Sequence, residues 1–159
     1  MMQSQSADVA VEEYNVFYRS KDPDARMLSR FFYAPYTLTD KTGKETTIAS
    51  SEAFLQGIAF HEDDLRRKQC FSLHGPEAWK FGQKSPRDGF VYFGGEAIPY
   101  RSPAYYELLA TSEREKFRAN EECRLALLKT RGKKLVHRLR GINTAPAFVE
   151  LLTQIRDEL

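Results

Sequence analysis

Apolar residues at helical spacing recur along this chain in short segments, and glycine or proline cuts off each segment before it grows long. Phe54, Leu55, Ile58 and Ala59 form one set behind Ser50 and Ser51, either of which can cap a helix from Glu52 to Phe60. Tyr106, Leu109, Glu113 and Phe117 place a longer helix from Pro103 to Lys116 or beyond, with Phe117 sharing an interior with Leu109, Leu125 and Leu128. Residues 62–71, 77–82 and 121–129 read as further helices, the second opened by Gly75-Pro76. The closing helix, 147–159, carries Phe148, Leu151, Leu152 and Ile155 on one face. Residues 36–39 and 45–49 flank a loop with Asp40 and Gly43 and predict a hairpin; residues 13–18 and 133–138 suit strands. Residues 20–24 read as a turn, and 84–101, with Pro86, Gly89, Gly94, Gly95 and Pro99, as loop. The sum is an α+β class, mostly helical, a compact single domain with a small antiparallel hairpin, behind a flexible arm over residues 1–13.

The 159 residues carry 24 basic and 22 acidic side chains, with 42% apolar residues, which excludes a disordered or fibrous chain. No apolar run approaches the roughly 18 residues of a membrane helix, and residues 1–10 lack the apolar centre of a signal peptide. Cys70 and Cys123 stand far apart, which fits buried thiols in a cytoplasmic, reducing compartment and no disulfide framework. His61, His74 and His137 have no metal-ligand spacing, so neither metal nor cofactor is expected; Gly94-Gly95 is no phosphate loop.

Two features carry chemistry. Glu52 sits where a helix N-terminus favours an anion, either as a simple first-turn stabiliser or as a carboxylate facing a pocket. From Cys123 to Val149 there is no acidic residue, while Arg124, Lys129, Arg131, Lys133, Lys134, Arg138 and Arg140 are all basic. Such a stretch is either a solvated face or a surface for phosphate or nucleic acid, for which Arg131, Lys133, Lys134, Arg138 and Arg140 are the candidate contacts.

Five blocks, in order, resemble one family. Phe17-Tyr18, Ser29-Arg30-Phe31 and Ser51-Glu52-Ala53-Phe54 with Gln56 are similar to the opening FY…SNF…SEHxFQAxKF of the NADAR family, the YbiA-like N-glycosidases. Ala78, Gly82, Lys116-Phe117, Arg124, Leu127-Leu128, Thr130 and Leu135-Val136 resemble its AxxxGR…KF…L…LLxT…LVE, and residues 151–156 its LLMxIR ending. The resemblance spans residues 14–159 and implies a single NADAR-like domain. It implies cleavage of an N-glycosidic bond between a ribose and a base-like nitrogen, in a ribosylated small molecule or in ADP-ribosylated nucleic acid. Glu52 matches the family glutamate and is implied to be the catalytic carboxylate.

The departures are specific. Arg30 stands for the family Asn, Ala59 for its Lys, Arg101 for its Trp and His137 for the acid after LV. Its DxxWGxG loop is missing, although Gly141 and Asn143 resemble its GxN. Ser29, Arg30, Arg101, His137 and Asn143 are therefore the expected substrate-binding residues. The alternative is an inactive NADAR-like module that binds a nucleotide, nucleic acid or protein; an unrelated helical scaffold requires the block order to be coincidence.

Overall fold

The computed structural model describes residues 10–159. Its elements run β1 (Glu13–Asn15), α1 (Pro23–Leu28), β2 (Tyr36–Thr39), β3 (Glu45–Ile48), α2 (Ser51–Gly57), α3 (Leu65–Phe71), α4 (Gly75–Gly82), β4 (Phe90–Phe93) and β5 (Glu96–Pro99). They continue through α5 (Pro103–Ala119), α6 (Glu121–Leu128), β6 (Lys134–Val136), β7 (Arg138–Leu139), β8 (Ile142–Asn143) and α7 (Pro146–Glu158). The class is α+β and mostly helical, as the apolar periodicity requires. The expected arm falls largely on residues 1–9, outside the described residues; Glu13 already belongs to β1.

The strands form four separate pairs. The expected hairpin is β2–β3, in register from Tyr36 opposite Ile48 to Thr39 opposite Glu45. Three differences from the sequence reading have local causes. Residues 84–101 are not loop throughout: β4 and β5 pair antiparallel, joined by Gly94-Gly95 at φ +62° and +78°. Two successive positive φ values are what a tight hairpin reversal demands, so the glycines there mark a turn between strands. The turn at residues 20–24 runs straight into α1, because Asp22 caps it and Pro23 suits a first helical turn. The stretch 133–138 divides into β6, parallel to β1, and the start of the β7–β8 hairpin.

Two large apolar clusters hold the elements, and a small third one, Phe60, Cys70 and Phe81, joins α3 to α4. Val16, Leu28, Phe117, Leu127, Phe148 and Leu152 join α1, α5, α6 and α7; Ile48, Phe54, Ile58, Phe71 and Val91 join α2, α3 and the hairpins. Phe117 is 1% exposed, as its spacing predicts, but Leu125 is 45% exposed, so α6 turns Cys123, Ala126 and Leu127 inward instead. Both cysteines are free and buried. Full burial of rings such as Phe54 contributes about 1.5–3 kcal/mol each. No helix among the described residues is long and apolar enough to cross a membrane.

Candidate functional site

The N-terminus of α2 organises the site. Ser50 caps it: its Oγ accepts from Ala53 N–H at 3.1 Å and donates to the Leu73 carbonyl at 3.0 Å. The Glu52 N–H donates to the Arg30 carbonyl at 3.0 Å, which docks residues 29–31 on the helix end. That turn is fixed from three more sides. Phe31 N–H donates to Ser29 Oγ at 3.1 Å, Gly75 N–H donates to the Phe31 carbonyl at 2.9 Å, and Lys116 Nζ donates to the Ser29 carbonyl at 3.0 Å. The position of Arg30 is thus set by backbone contacts, and its side chain is left to act.

A cavity of about 400 Å³ opens beside this turn, lined by Tyr18, Ser29, Arg30, Glu52, His137 and Phe148 among others. Its size suits a sugar with a phosphate. Glu52 is 5% exposed, and Oε2 accepts from Gln56 Nε2 at 2.8 Å, one turn along the helix. Burial raises its pKa; Gln56 and the positive charge of Arg30 oppose that rise and the nearby Glu113 adds to it, and burial wins. Among the described residues Glu52 has no salt-bridge partner. The Arg30 guanidinium lies 4.2 Å from the centre of the Phe148 ring, an arrangement that leaves its N–H edge available to an anion.

His137 reaches the cavity from the segment between β6 and β7. Its backbone N–H donates to Asn143 Oδ1 at 3.1 Å. Thr144 Oγ1 donates to the His137 carbonyl at 3.0 Å and lies 2.7 Å from Nδ1. The Thr144 hydroxyl thus contacts both the backbone and the ring of His137 and holds the imidazole in place. Burial lowers the His137 pKa, and Arg30 lowers it further. The cavity therefore holds a carboxylate pushed toward its acid form and an imidazole pushed toward its base form, the pairing that lets one site move protons in both directions.

A buried polar layer backs the cavity. Ser51 Oγ donates to Glu113 Oε1 at 3.1 Å, and Glu113 Oε1 lies 3.9 Å from Lys116 Nζ, with both side chains nearly inaccessible. Burial lowers the Lys116 pKa. Behind Gln56, Gly82 of α4 leaves the space that the amide needs: a Cβ at residue 82 would lie 1.9 Å from Gln56 Oε1.

The structure brings Ser29, Arg30, Glu52 and His137 together, but not Arg101 or Asn143. Asn143 is exposed and holds the β7–β8 hairpin to His137. Arg101 is exposed beyond the start of α5, its guanidinium 5.1 Å from the Tyr100 ring. The basic stretch is also less free than its sequence indicates. Arg138 forks onto both carboxylate oxygens of Glu13, Lys133 pairs with Glu12 at 3.7 Å and Lys129 with Asp24 at 3.4 Å. Arg131 donates to the Leu159 carbonyl, while Lys134 and Arg140 are exposed. The acids come from β1 and α1, more than a hundred residues upstream, so no local window shows them. Gln56, Phe148, Glu113, Lys116 and Thr144 were not legible as site residues; only the Glu52/Gln56 spacing of one helical turn gave a signal.

No known family profile matches the sequence, and no curated protein matches it. Among solved structures, the NMR structure of the Escherichia coli protein YbiA is similar, with a TM-score of 0.66 and 21% identity over 94% of this chain and 86% of that one. The chain thus has a YbiA-like α+β fold.

Proposed function

We propose that this chain is a divergent NADAR-family N-glycosidase that hydrolyses the bond between a ribose, in ADP-ribose or a ribosyl phosphate, and a base-like nitrogen. One observation carries the reading: a buried glutamate that has no salt-bridge partner among the described residues faces a sugar-sized cavity that also holds an arginine and a histidine. Burying a carboxylate without a cation is costly, and a helix-stabilising Glu gains nothing from it. A cation forming on the sugar repays that cost.

Arg30 holds the phosphate. The C1′–N bond breaks with its electron pair leaving on the nitrogen, and the Glu52 carboxylate faces the ribosyl cation. Water adds to C1′; its hydroxyl stays on the sugar, and one proton ends on the departing nitrogen. Glu52 and His137 are the groups placed to carry protons. The two free buried thiols fit a cytoplasmic protein.

The β7–β8 hairpin supports a second reading. The Asp/Trp loop of the family that the sequence resembles is missing here, and the hairpin brings no carboxylate to the cavity, as expected of a module that binds ribosyl ligands without cleaving them. Incubation with ADP-ribosylated DNA and with ribosylated pyrimidine precursors separates the two. Released base or sugar supports hydrolysis; saturable binding of an uncleaved ligand supports the module.

A further inference from the structure

A larger cavity, about 500 Å³, lies on the other side of Gln56 and belongs to no step described above. Trp79, Phe90, Tyr100 and Tyr105 form its walls. Trp79, Phe90 and Tyr100 are 50%, 43% and 51% exposed, so three large rings face water in one groove, and such a concentration marks a binding surface. Tyr105 lies buried beneath, edge-on to Tyr100 at 5.1 Å. Gln56, Gln83, Ser85 and Arg87 add polar groups around the rings. The groove and the Glu52 cavity adjoin at the Gln56–Glu52 pair. Gln56 lines the groove while holding Glu52, and Leu55 of the groove shares a small third cavity with Arg30.

We propose that this groove binds the planar heteroaromatic base of the substrate, so that the sugar lies at Glu52 and the leaving nitrogen beside Gln56. This assignment rests on the hydrolase reading and names the part of its substrate that the Glu52 cavity does not accommodate. Flat faces stack on the exposed rings, and the ring edges meet the amides, the hydroxyl and the guanidinium. Arg101 contributes from behind, against the Tyr100 ring. The groove requires a flat ring with polar edges, and an aliphatic ligand would leave both features unused.

Trp79 is the one tryptophan of the chain, so its emission reports on the groove alone. Guanosine and uridine, titrated into the full-length protein, are expected to quench it saturably, and ribose 5-phosphate to leave it unchanged. Tyr100→Ala should weaken nucleoside binding about 5- to 100-fold; Phe90→Ala serves if that variant fails to fold. Linear, non-saturating quenching, an equal response to ribose 5-phosphate, or unchanged affinity in both ring variants overturns the proposal. The two readings fail separately. Loss of turnover in Glu52→Gln with no nucleoside binding removes only the groove assignment; nucleoside binding without cleavage of any ribosylated substrate removes only the hydrolase.

Discussion

Lys116→Met tests whether the buried polar layer fixes the site. Lys116 is 0% exposed, Glu113 is 4% exposed, and among the described residues only Ser51 and Lys116 are placed to satisfy the Glu113 carboxylate. Methionine has nearly the volume of lysine, so the cavity contribution is small. Two effects oppose each other. Removing the ammonium relieves its own burial cost, the cost that lowers its pKa. It also strands Glu113 and deletes the hydrogen bond to the Ser29 carbonyl. Breaking one side of a buried pair costs about 3–5 kcal/mol, so the stranded carboxylate dominates. For a chain of this size that lowers Tm by roughly 6–20 °C, readable by circular dichroism. Glu113→Gln in the same protein removes the uncompensated charge and should recover most of the loss. Phosphate binding should stay weaker than wild type in the double variant, because the lysine's hold on the Ser29 carbonyl, one of the four contacts that fix the turn presenting Arg30, is still missing. A single-variant loss under about 1 kcal/mol, or a double variant as unstable as the single, refutes the argument.

Three further outcomes are expected. The raised folded-state pKa of Glu52 means that the native state holds a proton more tightly than the unfolded chain. Its contribution is therefore present below about pH 4.5 and lost as pH rises through the raised value, and Glu52→Gln should flatten that slope and be the more stable protein at neutral pH; unfolding at a series of pH values reads both. Gly82→Ala should push Gln56 off Glu52, costing about 1–3 kcal/mol by overpacking and slowing turnover, while Gln56→Ala in the same protein restores stability without activity; stability and activity recovering together would contradict it. Glu12→Gln with Glu13→Gln should free Lys133 and Arg138, and polyanion binding should then depend more steeply on salt, by about one unit of slope for each phosphate gained; an unchanged slope means that those cations do not face the polymer.

What the sequence disclosed follows the range of each interaction. Helices stood out because their periodicity is local: Phe54 and Ile58, or Phe148 and Leu152, repeat within a turn or two. The β4–β5 hairpin did not, since proline and glycine in residues 84–101 read as loop when the two adjacent glycines are its reversal. The basic stretch looked free only in a local window, because Glu12 and Glu13 meet it when β1 pairs with β6, and Asp24 when α1 packs on α6. Glu52 was legible from a cap and a family block, but its burial was not: that depends on Gly82, Lys116 and the Arg30 turn, which come from distant parts of the chain. Arg101, expected at the site because it stands where the resembled family has tryptophan, lies instead against Tyr100 with its charge in solvent, since the loop before α5 carries it away from Glu52.

The central claim is that Glu52 faces a ribosyl cation, and one comparison tests it most directly. Wild-type protein and Glu52→Gln are incubated with ADP-ribosylated DNA and with a ribosylated pyrimidine, and the released base is measured. The substitution keeps the shape and the contact to Gln56 while removing the charge. Loss of one well-placed electrostatic stabiliser costs about 10²–10³ in rate, and the account predicts a loss of that size in a protein that remains folded. Equal release by the two proteins would contradict it.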